Sequence, residues 1–211
     1  RGVPLVQVYG STETAPIAAY MPYREIIQKP ASTGKPAIHC EIRLVDEDAR
    51  EVVTGEKGEI LVRGPNVMTE YWDNPEATTA AFTDGWFHTG DIGHFDNDGF
   101  LYVDGRIKDM IISGGENIYP AAIENVLSQC PDLSEVAVLG RPDEHWGEVV
   151  IAVVVANGEE RDAERILSFC EGRIARFETP RQVIFVDELP RNAMGKVVKE
   201  ALRETVLASP G

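Results

Sequence analysis

The residue types best suited to chemistry gather in residues 85–120, GWFHTGDIGHFDNDGFLYVDGRIKDMIISGGENIYP. This stretch holds a carboxylate in a glycine-flanked turn (Thr89-Gly90-Asp91), a hairpin expected to end in Asp104-Gly105, the charged cluster Arg106, Lys108 and Asp109, and a loop, Ser113-Gly114-Gly115, after an apolar run. Polar groups at turns on a rigid scaffold are where binding residues concentrate, because a buried loop strands its own backbone polar groups. Each piece also has a plain structural reading, since Asp-Gly is a hairpin signal and Gly-Gly ends strands. A second cluster, Tyr9-Gly10-Ser11-Thr12-Glu13-Thr14, sets hydroxyls around one carboxylate where a strand stops. Glycine admits close approach, threonine donates to a phosphate oxygen and glutamate offers Mg²⁺ a hard oxygen. The same residues also make an ordinary capped turn. A third candidate, Lys196 beside Gly195, tips a Pro-, Asn- and Gly-bearing surface loop, Leu189 to Lys196, expected to be mobile. Taken alone, it is a solvated charge.

The elements that must position these groups change style along the chain. Short strand-like segments, Cys40 to Val45, Gly58 to Arg63 and Gly99 to Val103, follow an opening run at Leu5 to Val8. Turn signals separate them, which predicts antiparallel, barrel-like packing. Asn74 as cap, Pro75 and Glu76 predict a helix running through Ala77 to Phe82. After Gly115 the pattern alternates. A helix is expected from Pro120 with Ala122, Ile123, Val126 and Leu127 on one face, and another over Ala163 to Ile174 with Asp162 as its cap. Strands are expected at Val136 to Leu139, Val149 to Val155 and Val183 to Val186, with a last helix from about Val198 to Leu207. This predicts an α+β chain whose domains part near Arg106 to Asp109, at 1–107 and 108–211.

Thirty-five acidic against 20 basic residues give a net charge of −15 over 211 residues. That field repels phosphate backbones and anionic membranes and argues against nucleic acid as a partner. Cys40, Cys130 and Cys170 are odd in number and form no CxxC pair, as expected of reduced thiols in a cytoplasmic protein. The longest apolar run, Val149 to Ala156, is too short for a transmembrane segment, and no charged-then-apolar signal opens the chain. The chain starts at Arg1, close to a strand already in progress, and reads as a piece of something longer.

Tyr9-Gly10-Ser11-Thr12-Glu13, then Trp86-Phe87-His88-Thr89-Gly90-Asp91 with Gly105-Arg106, then Pro190 through Gly195-Lys196, occur in that order. In this the chain resembles the C-terminal part of the acyl-adenylate-forming enzymes: acyl-CoA synthetases, luciferases and nonribosomal adenylation domains. The match extends over Gly58-Glu59 through Tyr71 and Pro75-Glu76. The resemblance implies the β-barrel-like end of a large AMP-binding domain, followed by a small mobile α+β lid. It also implies a two-step ligase: a carboxylic acid and ATP give acyl-AMP and pyrophosphate, then a thiol displaces AMP.

In that frame Tyr9 would stack on adenine within the Tyr9, Gly10, Ser11, Thr12 loop, Thr12 would contact the α-phosphate and Glu13 would hold Mg²⁺. Asp91 would accept the ribose hydroxyls, supported by Arg106. Lys196 would reach the carboxylate and α-phosphate oxygens, Lys108 would be the hinge of the lid, and Ser113, Gly114 and Gly115 would line the path of coenzyme A. The segments 84–91 and 113–120 look most like bacterial fatty-acyl and aryl-CoA synthetases. Adenylation for a carrier protein, or a non-catalytic nucleotide-binding or interaction module, stays open as an alternative, as does a homodimer of the full-length form. The sequence departs from the family at Glu70, where glycine usually precedes the tyrosine. The Ser/Thr/Gly-rich loop for the β- and γ-phosphates and most of the acyl pocket lie upstream of Arg1, so the 211 residues alone are expected to be inactive.

Overall fold

A computed structural model describes residues 5–207, in two compact units that part between Ile107 and Lys108. The first unit is antiparallel β. Strands β1 (Val8–Tyr9), β2 (Ala19–Tyr20) and β3 (Lys35–Pro36) form a small sheet. In a second sheet β4 (Glu41–Val45) pairs with β5 (Gly58–Arg63), and β5 with the long β7 (Trp86–Phe95). The far edge of β7 is shared by β6 (Phe82–Thr83) and β8 (Leu101–Arg106). A bridge between Gly34 and Leu101 links the two sheets, and Ile60, Val62 and Leu101 are buried between them with Ala18 and Ala19. Helix α1 (Pro75–Ala81) starts where its residues dictate: the Asn74 side chain accepts from Ala77 N–H at 3.1 Å and Pro75 takes the first turn, where its missing donor costs nothing.

Several sequence expectations need correction in this unit: the strand expected over Gly99 to Val103 is Leu101–Arg106, and the helix expected to reach Phe82 ends at Ala81. The opening strand is Val8–Tyr9 rather than Leu5 to Val8. Thr89-Gly90-Asp91 is not a turn between elements but an interruption inside β7. Asp104-Gly105 does not end a hairpin either; both lie within β8, and the β7–β8 turn is made by Asp96 to Phe100. There the Asp96 carboxylate accepts from Asp98 and Phe100 N–H at 2.9 Å each, closing the turn with a side chain.

The second unit is a sheet covered on both faces. Strands β11 (Leu133–Asp143) and β12 (Gly147–Ala156) pair antiparallel over their whole length. The other edge of β12 carries β13 (Gln182–Phe185) in parallel and, at Gly147, the hairpin of β9 (Ile111–Ser113) and β10 (Glu116–Ile118). Successive residues of β12 face opposite ways: Val150, Ala152 and Val154 join the core with Ile123, Leu127 and Ile166, while Ile151 and Val153 join Leu189, Leu202 and Val206. This two-sided burial explains why β12 is a continuous apolar run and not an alternating one. Helices α2 (Pro120–Leu127) and α3 (Ala163–Cys170) supply the first core and α4 (Lys199–Leu207) the second. Asp162 caps α3 by accepting from Arg165 N–H at 3.0 Å, but α3 stops at Cys170, short of the expected Ile174, before Gly172 at φ 70°. Among the described residues no helix is long and apolar enough to cross a membrane.

Candidate active site

The interruption of β7 builds the most organised polar site of the first unit. Glu59 pairs with Ile92 and Leu61 with His88, so one residue of β5, Ile60, faces three of β7, Thr89, Gly90 and Asp91. Such a bulge re-aims side chains. On the other edge Ile92 pairs with Gly105 and Gly93 with Val103, which skips Asp104 and leaves Asp91 directly opposite Arg106. Thr89 Oγ1 donates to Ile60 C=O at 2.7 Å and accepts from Asp91 N–H at 3.1 Å, and Gly90 takes φ 70°, a conformation that costs other residues strain.

Asp91 thereby meets two partners from distant positions. The Tyr9 hydroxyl donates to Asp91 Oδ2 at 2.8 Å, and Arg106 Nε lies 3.3 Å from Oδ1. Burial pushes the Asp91 carboxyl above its ordinary range, with the Tyr9 hydroxyl and the Arg106 guanidinium working against it. Burial, then the Asp91 charge, raises Tyr9 far above a free phenol, so its hydroxyl remains a donor. A carboxylate held in this way can take a vicinal diol, and a half-buried tyrosine ring beside it can take a flat heterocycle.

The Ser11–Thr14 turn follows directly on Tyr9. Thr14 is buried, and its hydroxyl accepts from Ser11 N–H at 2.8 Å and donates to Ser11 C=O at 3.1 Å. A Cβ on Gly10 would lie 1.8 Å from Pro16 C=O, so only glycine fits. Asn66 Nδ2 donates to Thr14 C=O at 2.8 Å, Met68 N–H to Glu13 C=O at 2.8 Å, and the Tyr71 hydroxyl to Glu13 Oε1 at 3.0 Å. The nearby Ser11 hydroxyl first, then backbone N–H and Tyr71, keep Glu13 below the usual carboxylate range and therefore ionised. Ser11 Oγ is itself buried without a hydrogen bond of ordinary geometry, and Thr12 is exposed beside it. The ionised Glu13 carboxylate beside the exposed Thr12 hydroxyl fits a phosphate accompanied by a cation. Among the described residues no cluster of three or more His, Cys, Asp or Glu could hold a metal. Glu13 is a single hard-oxygen ligand, and Mg²⁺ is commonly held by one or two carboxylates plus substrate phosphates.

The second unit carries the remaining candidates. Ser113 ends β9, and Gly114 and Gly115, at φ 60° and 87°, make the tight turn into β10. Two contacts pin this hairpin to the start of β12: Gly114 N–H donates to Trp146 C=O at 2.8 Å, and Ile112 N–H to Glu148 Oε2 at 3.0 Å. Glycine at 114 also lets the Trp146 ring close in, since a Cβ there would lie 2.8 Å from it. Beside the hairpin opens a cavity of about 1050 Å³ whose lining includes Ser113, Gly114, Trp146, Arg176, Phe177 and Arg181. Arg181 stacks over Trp146 at 4.6 Å. Glu116 and Glu171 line it as well, so the two arginines are balanced by two carboxylates, and its most distinctive surfaces are the Trp146 and Phe177 rings, which suit a ring-bearing ligand.

The loop with Lys196 is not slack. Asn192 Oδ1 accepts from Met194 and Lys196 N–H at 3.0 Å each, Asn192 and Lys196 also bond through their backbones at 2.9 Å, and Arg191 meets Glu135 at 2.7 Å. The exposed ammonium therefore stands on a firm turn. Lys108 is exposed within a single 3-10 turn, Ile107–Asp109. The sequence named these candidates and held Thr14, Glu59 and Tyr71 within its motifs without giving them a supporting role, and it missed Trp146 and Glu148. Only tertiary pairing reveals them, the closest signal being the Gly-Glu pairs at 58–59 and 147–148.

The chain thus holds a β-rich unit with a bulge-held carboxylate and a glycine–hydroxyl–glutamate turn, and an α+β unit with an exposed lysine turn. Residues 1–72 match the AMP-binding enzyme model and residues 122–196 the AMP-binding enzyme C-terminal domain, and the chain belongs to that family. It is 58% identical over 207 residues to the indoleacetate–CoA ligase of Aromatoleum aromaticum, covering 98% of this chain and 41% of the relative. It is 42% identical over 209 residues to a long-chain-fatty-acid–CoA ligase of Mycobacterium tuberculosis, 99% of this chain and 41% of that enzyme. The o-succinylbenzoate CoA synthetase of Bacillus subtilis, solved with ATP and magnesium, superposes with a TM-score of 0.89 at 40% identity, over 96% of this chain and 42% of that one. The chain thus spans about two-fifths of the length of these relatives.

Proposed function

We propose that the chain is the C-terminal portion of an ATP-dependent, AMP-forming acid–thiol ligase that makes coenzyme A esters of aryl or fatty acids. The observation that carries this reading is the convergence of Tyr9, Asp91 and Arg106. Residues 1–107 contribute part of the AMP-binding domain: Asp91 takes the ribose diol, Tyr9 the adenine face, and the Gly10–Thr12 loop the α-phosphate. Glu13 would hold a Mg²⁺ ion, which would supply neutralisation of phosphate charge there. Residues 108–211 are the lid, turning at Lys108 and bringing Lys196 to the reacting carboxylate and phosphate oxygens. The two relatives and the solved structure named above are CoA ligases, which favours free coenzyme A over a carrier protein, and both aryl-type and fatty acids occur among them. The compartment this implies is the cytoplasm.

The test is the complete enzyme assayed with aryl and fatty acids. Replacing Asp91 by Ala removes a charged acceptor of two ligand hydroxyls, and the KM for ATP is expected to rise about tenfold or more while that for CoA stays within about twofold. An unchanged ATP KM would remove the basis of the nucleotide assignment. The cavity of the second unit gives a separate check. If it receives the adenosine end of coenzyme A, Trp146→Ala should raise the CoA KM by about tenfold, the order of one lost aromatic stack, and leave pyrophosphate release unaltered. Loss of pyrophosphate release instead would assign the cavity to the first half-reaction.

A further inference from the structure

We propose that Glu59, acting with His88, is the positioning residue of the nucleotide site: it holds the Thr89–Gly90–Asp91 bulge in the one shape that points Asp91 at Tyr9 and Arg106. The inference rests on the reading of Asp91 given above and adds to it a group that does not touch the ligand. One Glu59 oxygen accepts from Gly90 N–H at 3.1 Å and the other meets His88 Nδ1 at 2.9 Å, so a single carboxylate straddles the two ends of the segment that precedes Asp91. The ring is fixed in turn from β6, where Thr83 Oγ1 lies 3.0 Å from His88 Nε2.

The need for such a group follows from the backbone. Gly90 falls in neither ladder of β7, because the pairing with β5 passes from Ile92 to His88 and that with β8 starts at Asp91. Its N–H has no strand partner, and a half-buried donor left unpaired is destabilising. Glu59 supplies the missing acceptor. At φ 70° Gly90 is also free to take other conformations, and a Cβ there would meet nothing within 4 Å, so neighbouring atoms do not confine it. Thr89 fixes one side of the bulge through Ile60 C=O and Asp91 N–H. Without Glu59 the other side has no tether to β5.

The chemistry also predicts which replacement is tolerated. Glutamine keeps an oxygen for Gly90 N–H and can donate to His88 Nδ1 in the tautomer that carries its proton on Nε2, whereas leucine fills the space and offers neither. In the complete enzyme Glu59→Leu is expected to raise the KM for ATP about tenfold, with the KM for CoA within about twofold of wild type, and Glu59→Gln to recover most of that loss. In an Asp91→Ala background Glu59→Leu should add nothing to the ATP KM, because two residues that act through one contact are not additive. A general loss of stability would instead add in both backgrounds. The proposal is overturned if Glu59→Leu leaves the ATP KM within about twofold, if it raises the CoA KM equally, or if its effect persists undiminished beside Asp91→Ala. An Asp91→Ala enzyme with a wild-type ATP KM would bring down the nucleotide reading itself; a large loss there with none in Glu59→Leu would bring down only the positioning role.

Discussion

In the complete enzyme, Lys196→Ala is expected to slow acyl-AMP formation by about 10²-fold or more, on the order of 3 kcal/mol of barrier, while CoA-ester formation from supplied acyl-AMP continues. The size of the effect comes from where the charge is used. A compact ammonium is worth little on a solvated surface, but beside the oxygens on which negative charge builds, with water excluded, it stabilises the transition state directly. The turn that carries it is pinned by Asn192 and by the Arg191–Glu135 pair, so removing the side chain leaves its support in place and the melting temperature should hold. Pyrophosphate release and thioester formation measured separately decide the matter. Equal loss in both half-reactions would show that Lys196 does not serve adenylation in particular.

What could be read from the sequence was what is settled over a few residues. Asn74 and Asp162 cap helices because a side-chain oxygen and an orphan N–H three residues on are local partners. β12 announces itself as an apolar run because both its faces are buried. The α+β class and the ordered motifs of the site were legible for the same reason. The geometry of the site was not. Tyr9 lies 82 residues from the Asp91 it bonds, Tyr71 lies 58 from Glu13, and Glu59 lies 31 from Gly90, so no local window contains any of the three pairs. Thr89-Gly90-Asp91 has the composition of a turn, and only the strands on both sides of β7 turn it into a bulge. Asp104-Gly105 misleads likewise: its aspartate, rather than closing a hairpin, meets His94 at 2.7 Å and Lys57 at 3.3 Å from within β8.

The second large effect is expected at a residue assigned to neither set of reacting atoms. Lys108 sits in the 3-10 turn Ile107–Asp109, at the point where the contacts of the chain divide it into two units. Large domain movements are absorbed by φ/ψ changes at a few such residues. Proline fixes φ near −65° and pushes the preceding residue out of helical conformation, so Lys108→Pro should disfavour the turn at Ile107 and block the change from one half-reaction to the other. The complete variant is expected to release pyrophosphate within a few-fold of wild type while CoA-ester formation falls by roughly 10²-fold, the scale on which a misplaced reacting group costs rate. Lys108→Ala, which leaves the backbone free, should be mild in both assays. The two variants should melt within a few degrees of each other, which separates a frozen hinge from a damaged fold. If Lys108→Pro keeps both half-reactions within a few-fold of wild type, or if Lys108→Ala loses as much as the proline variant, the turn at Ile107–Asp109 is not where the movement occurs.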